Sequence, residues 1–422
     1  MPVGNPDGAP GVLNSCRACG SSSLDLVLSL GEQALSHFVE VDSREPTPRF
    51  PLNLVACADC GLVQLRESAP KELLYGEDYG YRSGISEIIR ADLQDIVESS
   101  TRFRPLREGE VVVDIGCNDG TLLSFYPDSL ERAGFDPLTK FQAEVTAKGI
   151  RFIGEYFNAG TYKLHFGSRK ASIVTAISMF YDLEDPNEFL EHVLEVLADD
   201  GLFVIQQNYL VSMIENNAFD NICHEHLEYY SLSTLQTLLQ RHGLVVFDVE
   251  QNDINGGSIR TYIGREGRWK VNERVLQLIG AEPSMTGKEA YTRFRERCER
   301  IRETVVRLVF DEVANDRRVF ALGASTRGNT LLQYFGLDAS VITGAMERNP
   351  EKFGKKIASV GIPILPEDEC RQIGPDYMLV LPWHLRRQIV QRERGFLESG
   401  GKLIFPLPRP SVVSRQGEAF LL

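Results

Sequence analysis

What this chain lacks narrows its function before any motif is read. It has no apolar run of about 18 residues or more, so no segment reads as a membrane-spanning helix. It has no basic excess: 45 Lys and Arg stand against 59 Asp and Glu, a formal net charge of −14. A nucleic-acid partner needs a basic surface to neutralise phosphates, so none is expected, although a local basic patch could still hold one diphosphate. Met1 to Gly11 is polar and rich in Gly and Pro, without the charged and apolar regions of an export signal. The expected compartment is therefore the cytoplasm, where thiols stay reduced. The remaining composition, 43% hydrophobic and 25% charged over 422 residues, is that of a globular protein. At about 100–200 residues per domain, two to four domains are expected.

Four of the eight cysteines form two C-x2-C pairs, Cys16/Cys19 and Cys57/Cys60, while Cys117, Cys223, Cys298 and Cys370 are scattered. A short knuckle lets two thiolates share one metal, and two knuckles complete a tetrahedral site. Gly20 and Gly61, directly after each pair, suit tight knuckle turns. A structural zinc ion held by all four thiolates is expected; its closed coordination leaves it no catalytic part.

Beyond the cysteines, apolar runs alternate with helical stretches. Strands are expected at Val111–Ile115, Leu130–Phe135, Ile173–Ile177, Leu202–Gln206, Leu244–Asn252 and Ser258–Gly264. That alternation reads as a doubly wound sheet. A long charged helix over 284–315 leads to further strand candidates at Arg318–Gly323, Val341–Met346, Tyr377–Leu381 and Gly401–Pro406, a second α/β unit.

The first strand runs into Asp114-Ile-Gly-Cys-Asn-Asp-Gly120, a glycine-rich turn at the first crossover. It lacks G-x-G-x-x-G, which speaks against a dinucleotide. Asp114 can accept from a ligand amine, and Gly116 lets the backbone come close. The second strand ends in Gly134-Phe-Asp-Pro137, where Asp136 can take both hydroxyls of a ribose. Together these signals resemble the class I methyltransferases that bind S-adenosylmethionine. The resemblance implies cofactor contacts from Asp114, Gly116, Asn118 and Asp136, an adenine contact at Tyr156 in Glu155-Tyr-Phe157, and Ser178 beside the methionine part. Core packing is as open to Tyr156 and Phe157 as stacking on adenine.

Residues 219–232 hold the densest titratable cluster, His224-Glu-His226 with Tyr229 and Tyr230 close behind. H-E-x-x-H spacing is absent, so a catalytic metal is not indicated. Methylation at carbon needs a base, because an unactivated C–H is not nucleophilic; a neighbouring ketone acidifies it and a histidine can take the proton.

With two C-x2-C pairs, Asp78-Tyr-Gly-Tyr81, Asp114–Gly120, His224-Glu-His226, Asn255-Gly-Gly-Ser258, Gly323-Ala-Ser-Thr-Arg-Gly-Asn-Thr330 and Leu381-Pro-Trp383, the chain resembles the nucleotide-sugar C-methyltransferases of antibiotic deoxysugar pathways over roughly 14–410. The resemblance implies an α/β architecture: a zinc-binding module over 12–84, a class I, Rossmann-like methyltransferase domain over 85–265, and a C-terminal Rossmann-like domain with the long helix over 266–410. It implies His226 as the base acting beside a 4-keto group, Glu225 as its partner or a ligand of a substrate hydroxyl, and Tyr79 or Tyr81 as an active-site phenol. His224 stands as the next candidate base. Arg327 is equally open to a phosphate contact or to packing, and Trp383 points to a domain interface more than to a nucleotide base. Two departures stand out: Cys223 replaces the tyrosine usual before H-E-H, and Asp182 replaces a histidine in the loop after the fourth strand. An O- or N-methyltransferase on a related small molecule is the alternative, and a non-enzymatic zinc-ribbon binding protein a distant third. A monomer acting on a small nucleotide-sugar is expected.

Overall fold

The computed structural model describes residues 11–74 and 81–422. Its centre is a seven-stranded sheet in the order Leu244–Asn252, Ser258–Arg265, Leu197–Asn208, Ala171–Ile177, Val111–Ile115, Glu131–Phe135 and Arg151–Ile153. Ser258–Arg265 runs antiparallel to both its neighbours, while the pairs from Leu197–Asn208 through Arg151–Ile153 are parallel. Val111–Ile115 is buried along its whole length. Val111, Val113 and Ile115 point into one core and Val112 into the other, as in a parallel sheet covered on both faces. The chain leaves this strand toward Glu131–Phe135 and later returns to lay Ala171–Ile177 on its opposite side. The strand order reverses there, which opens a crevice at the carboxyl ends of the strands. This is the class I methyltransferase arrangement.

The N-terminal module is an antiparallel sheet of Leu24–Ala34, Arg49–Cys57 and Val63–Leu65. Its fourth strand, Glu228–Tyr229, comes from far along the chain and pairs with Val63 and Gln64. In return the module gives Phe38–Glu40 to the edge of a nine-stranded C-terminal sheet, against Lys355–Ile357. The Gln333 side chain extends the exchange, accepting from Ala34 N at 2.8 Å and donating to Ala34 O at 3.0 Å. Leu54 and Val63 of the module, Phe219 of the middle segment and Phe320 of the C-terminal sheet therefore share one core. The helix Lys288–Ala314 carries Tyr291, Phe294, Cys298, Ile301, Val305 and Val309 into it, an apolar stripe at helical spacing.

The proposed cuts at 84 and 265 thus divide sequence, not cores. Helix Glu273–Ala281 lies beyond 265, yet its Val275 packs into the methyltransferase core. Buried Glu282 accepts from Tyr209 Oη at 2.7 Å and from the backbone N–H groups of Leu232 and Ser233, which open the helix Leu232–Arg241. Past residue 410, Ser411–Ser414 and Gly417–Phe420 add two antiparallel strands to the C-terminal sheet. Among the described residues no helix is long and apolar enough to cross a membrane.

The four module cysteines converge. Cys16 Sγ lies 3.5 Å from Cys60 Sγ, Cys19 Sγ 3.5 Å from Cys57 Sγ, and all four sulfurs fall within 4.8 Å of one another. Tetrahedral zinc with bonds of about 2.3 Å would set its sulfurs about 3.8 Å apart, so the set fits that ion. The knuckles close as tight turns, Gly20 N to Cys16 O at 2.8 Å and Gly61 N to Cys57 O at 3.0 Å, with both glycines at positive φ. Cys57→Ser is expected to lower zinc below one per chain and to lower Tm with it. A stably folded variant with stoichiometric zinc by atomic absorption would contradict the four-thiolate site.

Candidate active site

The crevice at the strand ends is lined by backbone in an unusual conformation. Gly116 has φ +74°, and the non-glycine residues Asn118 and Ser178 sit at φ 50° and 55°. Such left-handed residues cluster where a loop is shaped for a ligand. A Cβ on Gly116 would come within 3.2 Å of Met179 Cγ, so only glycine leaves that cradle open. Asp114 is buried at the end of its strand and accepts from Thr175 Oγ1 at 2.5 Å. Burial pushes its carboxyl up to about 7.

Asp136 ends the neighbouring strand and is also held above its ordinary range by burial. Its Oδ2 accepts from Asn118 N and its Oδ1 from Leu138 N, each at 2.8 Å. Two fixed donors orient the carboxylate and leave each oxygen a further lone pair for a vicinal diol. Tyr156 is 58% exposed. Phe157 is partly buried and packs on Phe135 and Phe189, with ring centroids 5.1 and 5.7 Å away, so Tyr156 is the more open of the two aromatics.

Asn118 and Asp119 also fasten a strap across the loop. Asn118 Nδ2 donates to Tyr81 O at 3.2 Å, and Asn118 Oδ1 accepts from Ser83 N at 3.1 Å. Asp119 Oδ2 accepts from Gly84 N at 2.9 Å and Arg82 Nε at 3.3 Å. A Cβ on Gly84 would fall 2.6 Å from that same oxygen, so the approach needs glycine. Tyr81 is thereby brought to the cofactor loop; Tyr79 lies outside the described residues. Arg82, Asp119 and Thr175 join the site residues through the fold alone. Asp119 stands within the quoted loop motif, but its role depends on a partner strap that no spacing reveals.

The H-E-H segment follows the turn Phe219–Asn221 and enters the strand Glu228–Tyr229. Its two histidines part company. His224 Nε2 bonds Phe50 O of the zinc module at 3.1 Å, edge-on to the Phe50 ring, and is buried, which pushes its proton affinity down to about 4. It is committed to packing the module. His226 Nδ1 bonds Asn221 O at 2.8 Å, and the Tyr181 ring meets it edge-on with centroids 4.5 Å apart. Burial holds His226 at about 4 as well. A carbonyl can only accept, so the neutral ring carries its proton on Nδ1 and keeps a lone pair on Nε2. Leu227 N donates to Tyr181 O at 2.9 Å, tying the segment to the turn Phe180–Asp182 that follows the strand Ala171–Ile177 of the cofactor crevice. Burial raises the Glu225 carboxyl and the Cys223 thiol, the latter also through Glu225 and Asp182. The fold thus assembles Asp182, Cys223, Glu225 and His226 beside the cofactor crevice and sends His224 elsewhere.

Arg327 and Trp383 both close on Asp220, a carboxylate with no exposure. Arg327 Nε donates to Asp220 Oδ2 at 2.9 Å, as does Trp383 Nε1. Of the two roles left open for Arg327, packing is the one its contacts show.

With this geometry in place, the comparisons with known proteins converge. Residues 16–75 match a zinc binding domain, 86–249 a methyltransferase domain, and 253–408 the C-methyltransferase C-terminal domain. The chain is 32% identical over 412 residues to the C-methyltransferase NovU of Streptomyces niveus, spanning 96% of this chain and 98% of that one. The chain belongs to the zinc-containing C-methyltransferases. Solved structures overlay only in part. The plantazolicin methyltransferase BpumL, in complex with a pentazolic desmethylPZN analog and SAH, aligns at TM-score 0.34 and 14% identity over 43% of this chain and 86% of its own. An S-adenosylmethionine-dependent methyltransferase from Clostridium acetobutylicum aligns at TM-score 0.33 and 13% identity over 43% of this chain and 96% of its own. This C-methyltransferase uses S-adenosylmethionine, and its four-cysteine cluster is a zinc site.

Two expectations follow for the C-methyltransferase. Removing the diol acceptor with Asp136→Ala is expected to cost about 2–3 kcal/mol and weaken S-adenosylmethionine binding more than about tenfold by calorimetry. Unchanged affinity would refute the ribose assignment. The second concerns pH. A histidine held below its ordinary value takes its proton in the unfolded chain first, so its contribution to stability is present near neutrality and is lost as pH falls from about 6.5 toward 4. His224 is such a group. Between pH 7 and 5, wild type should therefore lose about 2 kcal/mol more than His224→Gln in urea unfolding; parallel losses would place the His224 proton affinity near its free value.

Proposed function

We propose that the enzyme methylates the carbon beside the ketone of a nucleotide-linked 4-keto deoxysugar, with His226 as the base. The observation that carries this reading is the Asn221 O···His226 Nδ1 contact at 2.8 Å, which leaves Nε2 with a free lone pair. Bound S-adenosylmethionine supplies an electrophilic methyl on a sulfonium, held by Asp136 and the strained loop around Gly116. His226 Nε2 takes the acidic C–H proton, and the C–H pair becomes the enolate. That pair then forms the new C–C bond as the methyl–sulfur bond breaks.

The low proton affinity of His226 acts twice. It keeps Nε2 unprotonated throughout the neutral range, and it makes the imidazolium a strong proton donor, so the enolate must be captured at once. A methyl donor fixed in the adjoining crevice meets that demand through proximity. We assign Asp182, Cys223 and Glu225, which lie close enough to one another to interact electrostatically, to the sugar's hydroxyls. The Cys223 and Asp182 departures then mark a change in which sugar is accepted, not in the reaction.

His226→Asn is expected to keep fold and S-adenosylmethionine affinity while slowing turnover about 10²–10⁴-fold. With S-adenosylhomocysteine blocking methyl transfer, wild type should wash deuterium from the acidic carbon of a 4-ketosugar into water, and the variant should not. Equal exchange rates would move the base elsewhere. No exchange and no C-methylated product from wild type with any ketosugar would favour O- or N-methylation.

A further inference from the structure

The C-terminal sheet has the strand order of a second ligand-binding unit, yet its crevice is filled from within. Val319–Leu322 and Tyr377–Val380 run side by side in parallel. Arg327 opens the helix after the first, and Trp383 opens the turn after the second. At the carboxyl ends of such strands an anionic ligand commonly sits. Here the anion is Asp220 of the methyltransferase segment: Arg327 Nε and Trp383 Nε1 each donate to its Oδ2 at 2.9 Å, and Arg327 Nη2 lies 2.7 Å from that oxygen as an ion-pair contact. Arg327 Nη1 also donates to Asn255 O at 2.6 Å. Gly256 lies so close that a Cβ there would meet the Trp383 ring at 2.9 Å.

The next residue is Asn221, whose carbonyl receives His226 Nδ1 at 2.8 Å and Tyr229 Oη at 3.2 Å. The Asn221 side chain is tied in turn to Asn208 Nδ2 at 3.1 Å, at the end of the methyltransferase strand Leu197–Asn208. The carbonyl that decides which nitrogen of His226 carries the proton is thus pinned on one side by the C-terminal domain and on the other by the methyltransferase sheet. We infer that Arg327 and Trp383 are positioning residues for His226, and that the C-terminal domain acts on the reaction through the Asp220–Asn221 peptide. The inference rests on the reading of His226 as base only for its effect on turnover; its effect on the imidazole stands alone.

The charged and titratable groups on the elements around that ring are Tyr181 and Asp182 on one turn, Asp220 on another, Cys223 and Glu225 on its own segment, Tyr229 on the short strand, and Arg327 across the junction. Of these, Arg327 reaches His226 electrostatically and opposes its protonation, with Asp220 as its counter-charge. Removing the guanidinium therefore does two things. It releases the turn that carries the Asn221 carbonyl from the C-terminal domain, and it removes the positive charge that opposes protonation of the ring.

The test is nitrogen-15 NMR of protein labelled at histidine, with the His226 signals among those of seven histidines identified by their loss in His226→Asn. Wild type should show His226 as the single Nδ1–H tautomer at neutral pH. Arg327→Gln, with full zinc content and unchanged S-adenosylhomocysteine affinity, should show a mixture of tautomers and kcat lower by about 10–100-fold, with KM little changed. Its rate should also fall on the acid side at a higher pH than in wild type. An unchanged single tautomer in Arg327→Gln overturns the inference. A lost tautomer with unchanged kcat upholds the positioning and sinks the base assignment instead, so the two readings fail separately. Should Arg327→Gln not fold, Trp383→Phe keeps the guanidinium and the ring while deleting one donor. A smaller shift toward mixed tautomers there supports the inference, and none overturns it.

Discussion

A carboxylate taken wholly out of water must be paired, and Asp220 finds its partners only where the polypeptide folds back on itself. Breaking a buried ion pair on one side costs about 3–5 kcal/mol, because the remaining charge stays uncompensated. That cost favours the arrangement that brings the methyltransferase segment, the loop at Asn255 and the carboxyl ends of the C-terminal strands together. The turn Phe219–Asn221 is set by that pairing, and the H-E-H segment hangs from it.

The zinc module works on the same segment from the opposite side. It takes Glu228–Tyr229 as a strand, offers the Phe50 carbonyl to His224, and lends Phe38–Glu40 to the far sheet. Zinc thus bears on that segment at a distance: four thiolates fold the module, and the module fixes the exit of the segment whose entry is fixed at Asp220. On the cofactor side, Asn118 is the joint. Its backbone N–H orients Asp136 while its side chain holds the strap at Tyr81 and Ser83. The Asp136 carboxylate and that strap are therefore held by one residue.

Much of this was legible from residues alone, and what was not has a physical reason. Val111–Ile115 and Leu244–Asn252 have the bounds their apolar runs predict, since a run of buried apolar side chains writes itself into composition. The four thiolates were legible because metal coordination imposes a spacing. Arg151–Ile153 and Lys355–Ile357 are three residues each and partly charged, so they carry no period. The strand exchanges were invisible because pairing between distant segments leaves no local trace. Asp220 sits in a polar run that reads like a solvated turn, and its burial is decided by Arg327 and Trp383 more than a hundred residues away in the chain. His224 and His226 look equivalent in sequence; only the carbonyl each one meets tells them apart.

The central claim is that the enzyme joins a methyl group to carbon beside a ketone. Incubating it with S-adenosylmethionine carrying a carbon-13 methyl and a panel of nucleotide-linked 4-ketosugars, and reading the product by carbon–proton correlation NMR, tests that claim most directly. The account predicts a labelled methyl coupled to a ring carbon next to the former ketone. A labelled methyl on oxygen or nitrogen would contradict it.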